Sequence, residues 1–352
     1  VAESQQLSVR RNDYSLDEQQ EAVRETFEDF FTALCPSSVV RAAEPLGFDP
    51  SLWKKALATG VVTMAVAEER GGDGATLIDL ALVAEQYGRT LAPIPLIEAI
   101  TAARMLASVG GNAADELLAE VLAGKTTGTV ALHRADKLLD QAVPAGAVAD
   151  LVLALSGDDL IAVRGVGVPE ILPNLAGAPL ARLTAFGGER IVLASGDEAL
   201  KTYAEALRTW KLLTGSALAG SASASVAMGV DFASSRQAFG QFIGTFQAIS
   251  HSLVDAATLM EASRNLVRKA AWYEEHEPQS DPALVSMAFL AASRAAVKSA
   301  TVGIHVQGGF GFTNESDMTL HFRRAKGWAL LGQRPSADLE IIAESLPWAP
   351  HI

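Results

Sequence analysis

The chain has 352 residues, 49% of them hydrophobic and 20% charged, a globular composition with length for two or three domains and no resemblance to a disordered chain. Its 28 Lys and Arg stand against 41 Asp and Glu, a net charge of −13, and no basic cluster exceeds a few residues, which argues against nucleic-acid binding. One cysteine, Cys35, cannot close an intrachain disulfide, and the chain opens acidic and polar where a signal peptide would be basic and then apolar; the expected location is the cytoplasm.

Taken in order, Ser15 followed by Glu18 has capping-box spacing, and Val23, Phe27, Phe30 and Phe31 then recur at helical intervals. Leu52 to Leu57 and Leu77 to Tyr87 read as further helices, with Gly71-Gly72-Asp73-Gly74 as a loop between them. Leu91 to Pro95 makes an extended turn before an apolar helix, Leu96 to Val109, and a short one, Asp115 to Ala123. Residues 1–124 form an N-terminal helical domain on this reading.

At Gly124 the period changes. Thr127 to His133, Ala149 to Leu155, Leu160 to Val163, Ala181 to Phe186 and Arg190 to Leu193 are short β-prone runs separated by Gly, Pro and Asp. Residues 125–196 are expected to be a small antiparallel β domain. Helical periodicity returns over 197–352. Thr214 to Val230 is crowded with Gly, Ser and Ala at about the lower limit of spanning length, and reads as a buried helix, not a membrane span. The small side chains of Ala217 to Gly229 would let another helix or a ligand approach closely. Phe242, Phe246, Ile249, Leu253, Ala257 and Met260 should line one face of a long helix running toward Trp272, in a helical bundle. The fold class is α+β, mainly α.

Familiar catalytic signatures are absent: no G-x-S-x-G elbow, no phosphate loop, no H-E-x-x-H, and no histidine pair at metal-ligand spacing, so no metal is expected. Gly308-Gly309-Phe310-Gly311 lacks the preceding strand of a dinucleotide fingerprint and reads as a tight turn between helices. In the stretch from Ser235 to Gln247, Gly240 and Gly244 interrupt helical patterns, so one helix should end near Gly240 and the next begin near Gly244 or Thr245. A fresh helix N-terminus beside Arg236 suits a pyrophosphate. An Arg compensating the dipole at a helix end is the other reading.

The run from Arg236 through Asp255 closely resembles the R-x-x-F-G-x-x-I-G-x-F-Q-A-x-x-H-x-L-x-D signature of the acyl-CoA dehydrogenase family. Gly303 to Glu315, followed by Arg323-Arg324-Ala325-Lys326, looks like the family's glycine-rich turn and R-x-A-K helix. Ala67 to Gly72, Glu85 to Arg89 and Leu91-Ala92-Pro93 are similar to its N-terminal domain. The resemblance implies a helical N-domain, a middle β domain and a C-terminal four-helix bundle. It also implies FAD, an acyl-CoA substrate, an electron-acceptor flavoprotein and an oligomer. In such enzymes a Glu takes the α-proton while the β-hydrogen leaves as hydride to the flavin. By position, Arg236, Phe239 and Gln247 should meet the flavin's ADP half across a subunit interface, with residues 305 to 309, among them His305, Gly308 and Gly309, as the second strip of contact.

The departures are specific. His305 stands where the family has Gln before its Gly pair, with Gln307 two residues on, and an imidazole can still make one hydrogen bond there. The middle domain has no Thr-Glu-Pro segment to lie along the flavin, only Thr129-Val130-Ala131-Leu132-His133. The family's base falls six residues after the Lys of R-x-A-K, here Gly332, or twenty-six before the signature Arg, here Trp210. Neither can take a proton. Glu315 is a candidate relocated base or, alternatively, a helix-start cap or salt-bridge residue; Glu205 reads as a solvated helix-face residue. Three functions stay open: a base-less subunit of a heteromeric dehydrogenase, similar to the α2β2 enzymes of actinobacterial steroid side-chain degradation; a self-sufficient homomeric dehydrogenase; and a flavin oxygenase or non-catalytic protein of the same fold.

Overall fold

A computed structural model describes residues 15–138, 140–165, 169–184, 188–277, 281–332 and 334–346. The first helix, α1 (Glu18–Leu34), is capped by Asp17 and not by Ser15: the Asp17 carboxylate accepts from the Gln20 amide at 2.9 Å, and Gln20 Oε1 accepts from the Asp17 amide at 3.1 Å. The box spacing is kept but moved along the chain, where a carboxylate also meets the positive end of the helix dipole. Next come α2 (Ser37–Ala42), α3 (Pro50–Leu57), α4 (Leu77–Thr90), α5 (Leu96–Val109) and α6 (Asn112–Leu122). A Thr76–Asp79 capping box starts α4.

Two sheets follow. In the first the order is β1 (Gly128–Val130), β3 (Leu151–Ser156), β4 (Asp159–Arg164), β7 (Glu189–Ser195); in the second it is β2 (Asp140–Val143), β6 (Ala181–Thr184), β5 (Glu170–Ile171). The unit is not wholly antiparallel. Strands β1 and β3 run parallel, with Gly128 opposite Leu151, because the chain between them leaves the first sheet to build β2 in the second. The side chains of β3 alternate with period two: Leu151, Leu153 and Leu155 join the main core, while Val152 and Ala154 face Val143 and Ala181 of the other sheet. Burial on both faces explains its unbroken apolar run. The expected strand end at Phe186, like residues 1–14, lies outside the described residues.

The C-terminal part comprises α7 (Asp197–Ser235), a hairpin of β8 (Gln237–Ala238) and β9 (Gln241–Phe242), then α8 (Gln247–His276), α9 (Pro282–Gln307), α10 (Met318–Leu331) and α11 (Pro335–Ser345). Helices α7 to α10 pack together as the bundle. Ile249, Leu253 and Ala257 of α8 face Val226, Val302 and Val306 as expected, but Phe242 lies in β9 and Phe246 is only the N-cap of α8. Buried Lys211 ties α11 to the bundle, its Nζ 2.6 Å from Asp338 Oδ1, which also accepts from Ser286 Oγ at 2.8 Å. Two stretches, Asp197–Ser235 and Pro282–Phe312, are long and apolar enough to cross a membrane by length and composition, yet 67% and 56% of their most apolar windows are buried against the rest of the chain.

Among the described glycines, the closest approaches join α4 to α7. A Cβ on Gly88 would lie 1.9 Å from Ala217 O, and one on Gly220 would lie 1.9 Å from Glu85 O. Backbone meets backbone here, so neither side can yield by a rotamer change. Ser216 adds a hydrogen bond to Ala81 O at 2.5 Å. Gly220→Ala is therefore expected to cost about 3 kcal/mol of stability, at the upper end of overpacking penalties, read as a lower urea midpoint at unchanged slope.

Candidate functional site

The residues singled out by the signature gather at one end of the bundle. Helix α7 stops at Ser235, and the next four residues turn back on themselves: Gln237 pairs with Phe242 and Ala238 with Gln241, leaving Phe239 and Gly240 as a two-residue loop with φ of 54° and 78°. Both central residues in the left-handed region define a type I′ turn. The expectation of helix up to Gly240 fails for that reason: the glycine serves a hairpin. Phe239 is an unusual occupant, since a bulky side chain at positive φ is strained. The turn holds its ring 97% exposed, edge-on to Phe246.

Arg236 is exposed, and among the described residues its guanidinium has no ion pair or hydrogen bond. Gln247 is the first residue of α8, whose N-terminus has no side-chain cap and no acidic residue in its first turn. The second strip lies alongside. His305 is exposed in the last turn of α9, Gly308 ends that helix with φ 61°, and a Cβ on Gly309 would meet nothing within 4 Å. Phe310 stacks on Phe232 of α7 at 6.4 Å and 7°, and the cluster of Val226, Ala233, Leu253, Val302 and Val306 draws the three helix ends together. Gln307, the displaced amide, accepts from Ser316 Oγ at 2.6 Å, so His305 is the polar side chain of that strip left facing outward. An exposed cation, an uncapped helix start, a ring face and an open glycine are a donor set that fits a pyrophosphate and its nucleoside.

Trp210 and Gly332 meet far from that end. Gly332 follows α10, and a Cβ on it would lie 3.0 Å from Trp210 Cζ3. Both positions at which the family's base is expected therefore fall at one place, and no carboxylate stands at either. Trp210 and Leu331, the residue before Gly332, border a cavity of about 20 Å³, room for one water, walled also by Tyr87, Glu98, Thr214 and Trp328 among others. Glu98, on α5, was not singled out from sequence, although a lone carboxylate within Leu96 to Ala103 is its visible signal. The Trp210 indole N–H donates to Glu98 Oε1 at a long 3.4 Å. Burial raises the Glu98 pKa, partly offset by a backbone hydrogen bond and by Trp210.

The other sequence candidates sit elsewhere. Glu315 is exposed in the turn before α10 and has neither a helix cap nor a salt bridge among the described residues; Asp317 instead pairs with Arg41 at 2.8 Å. Glu205 is half-exposed beside Lys201. In the middle unit Thr129 is buried and donates to Pro144 O at 2.6 Å, while Tyr203 donates to Ala131 O at 2.8 Å, so that strip spends its polar groups internally. A second cavity, about 200 Å³, is lined by Cys35, Thr90, Met228 and His321 among others. Burial pushes the Cys35 thiol up to about 12 and His321 down to about 4, leaving neither thiolate nor imidazolium there at neutral pH. Among the described residues no group of three His, Cys, Asp or Glu could hold a metal.

The raised Glu98 pKa has a signed consequence. The folded chain keeps that proton longer than the unfolded chain does, so stability falls as pH rises from the ordinary carboxylate range toward the folded value. Glu98→Gln cannot ionise and keeps an oxygen for the Trp210 N–H. The variant should match the wild type in acid and exceed it increasingly toward neutral pH, as measured by denaturation midpoints across the range.

Two family models match, "Acyl-CoA dehydrogenase, N-terminal domain" over residues 17–128 and "Acyl-CoA dehydrogenase, C-terminal domain" over residues 200–346. The chain is 30% identical over 334 residues to the acyl-CoA dehydrogenase IpdE2 of Mycobacterium tuberculosis, covering 94% of this chain and 98% of that one. Its fold is like that of the ChsE4-ChsE5 complex from Mycobacterium tuberculosis, with TM-score 0.83, 24% identity and coverage of 96% and 100%. The Tcur3481-Tcur3483 steroid ACAD G363A variant is similar to the same degree, with TM-score 0.82, 24% identity and coverage of 93% and 97%. With both terminal domains matched and a full-length relative at that identity, the chain belongs to the acyl-CoA dehydrogenase family.

Proposed function

We propose that the chain is a subunit of a heteromeric acyl-CoA dehydrogenase, lending half of an interfacial FAD site to a longer paralogue that brings the proton-abstracting carboxylate. A solved structure of this fold, the FAD complex of PigA, holds FAD. The observation that carries the reading is the layout of α7. Arg236 follows its last residue, and Trp210 lies 26 positions earlier, about 39 Å of helix rise, more than an extended FAD spans. A flavin gripped at Arg236 would therefore not reach Trp210 of the same chain, which supports a reacting end in another subunit.

When bound, FAD supplies the hydride acceptor for α,β-desaturation of a CoA thioester. This chain's own part is to bind and orient. Arg236 holds the pyrophosphate through a charge-assisted contact, the free N–H groups at the start of α8 and Gln247 add neutral donors, and Phe239 presents a ring face. Gly308 and Gly309 leave room for close approach, with His305 as the neighbouring polar group. No proton is taken here. Glu315 is separated from Gly332 by the length of α10, 14 residues or about 21 Å, and Glu98 faces a space with room for one water but not for an acyl chain.

The likeness to the Tcur3481-Tcur3483 steroid ACAD supports a steroid-derived acyl-CoA as the substrate of the assembly, and that to the ChsE4-ChsE5 complex supports a pair of unlike subunits. An electron-acceptor flavoprotein would reoxidise it, in the cytoplasm. Purified alone, the chain should oxidise acyl-CoA weakly or not at all; co-expressed with the longer paralogue, it should yield one flavin per unlike pair. Losing a charge-assisted contact weakens binding on the order of 10- to 100-fold, so Arg236→Ala should lower flavin content after desalting. Rapid flavin bleaching by an acyl-CoA in a preparation of this polypeptide alone would sink the partner requirement.

A further inference from the structure

Residue 332 has no backbone reason to be glycine. Its φ of −80° and ψ of −157° suit other residues as well. Space is the constraint: a Cβ there would stand 3.0 Å from Trp210 Cζ3, 3.5 Å from Cη2 and 4.0 Å from Phe289 Cζ. Trp210 is poorly placed to yield. It is 2% exposed, tilted against Phe289 at 6.2 Å and 49°, and tethered by its N–H to Glu98. On the other side of the cavity Trp328 stacks on Tyr87 at 5.6 Å and 18°, so that wall is also rigid.

We propose that Trp210 is a plug that closes this chain's own acyl pocket, tethered by Glu98 and backed by Phe289, and that residue 332 is glycine because the plug fills its side-chain space. The two base positions thus exclude one another: a side chain at 332 requires a smaller residue at 210. The name acyl pocket rests on the functional reading above, in which the thioester is handled by the partner; the plug itself does not. With the cavity shut, a CoA thioester has a single pocket per unlike pair, and unproductive binding to the base-less subunit is prevented.

The test removes the plug from the full chain. Trp210→Gly should leave an indole-shaped hole, so millimolar indole should raise the thermal midpoint of this variant and not that of the wild type. Indene has the same shape without the N–H and should raise it less, because Glu98 then has no donor. No response to indole would overturn the plug. A second arm uses the gentler Trp210→Leu, in case the glycine variant does not fold. Gly332→Ala should lower the midpoint in the wild-type background and lower it much less with Leu at 210, since contacting residues couple; equal losses in both backgrounds would also overturn it. Neither arm involves flavin, so an unaltered flavin content in Arg236→Ala would refute the Arg236 contact of the functional reading while leaving these outcomes untouched.

Discussion

The backbone contact between α4 and α7 governs what the other parts of the chain can do. Gly88 and Gly220 bring the two helices closer than side chains would permit, and the residues beside those glycines are placed by that approach. Tyr87, next to Gly88, is pressed into the small cavity, where it stacks on Trp328. Glu85 is turned toward α8, with Arg264 Nε at 2.9 Å and Arg268 at 3.8 Å from its carboxylate. A single crossing therefore sets the cavity wall and anchors α8, the second helix of the bundle. Widening it would cost dispersion contacts along most of α7, which is buried for much of its length.

A second joint holds the three parts of the chain together. Arg324 of α10 is 1% exposed, among the largest fully buried side chains. Its guanidinium donates to Glu44 at 2.7 Å, and the same carboxylate oxygen accepts from Arg323 at 2.6 Å. Across it runs the Gly177 backbone of the middle unit, so close that a Cβ would lie 2.2 Å from the Arg324 guanidinium. A buried cation must be paired to be tolerated. Here the pairing draws the N-terminal helices, the β unit and the bundle to one point beneath the cavity.

Much of this was legible from periodicity, and what was not has local causes. Helices α4, α5 and α8 announce themselves because their apolar residues recur over many turns, and the sheets because Val, Leu and Thr cluster between turn residues. The helical pattern predicts that the helix continues to Gly240, because Arg236 to Phe239 are helix-compatible residues; only the conjunction of Phe239 with Gly240 hints at two left-handed positions and a hairpin. The parallel pairing of β1 with β3 depends on β2 belonging to another sheet, a fact of topology that no local pattern carries. The signature residues share a motif whose order along the chain brings them to one end of the bundle, whereas Glu98 has only a weak signal: one carboxylate in an apolar helix looks like a surface residue until its neighbours are known. The contact of Trp210 with Gly332 joins positions 122 apart and is visible only in three dimensions.

The strained turn that holds Phe239 in solvent has company. Phe312 is 77% exposed, Phe242 45%, Phe310 44%, and Val254 on α8 62%, all on the segments that end α7 and α9 or begin α8. Such a surface is costly to leave bare: in a crowded cell it invites non-specific association and recognition by quality-control machinery. The net charge of −13 opposes self-association through repulsion but does not cover the rings. If an unlike subunit covers that end, as proposed, a cell making this chain in excess of it would accumulate a sticky orphan, and the balance of synthesis between the two would guard against that association.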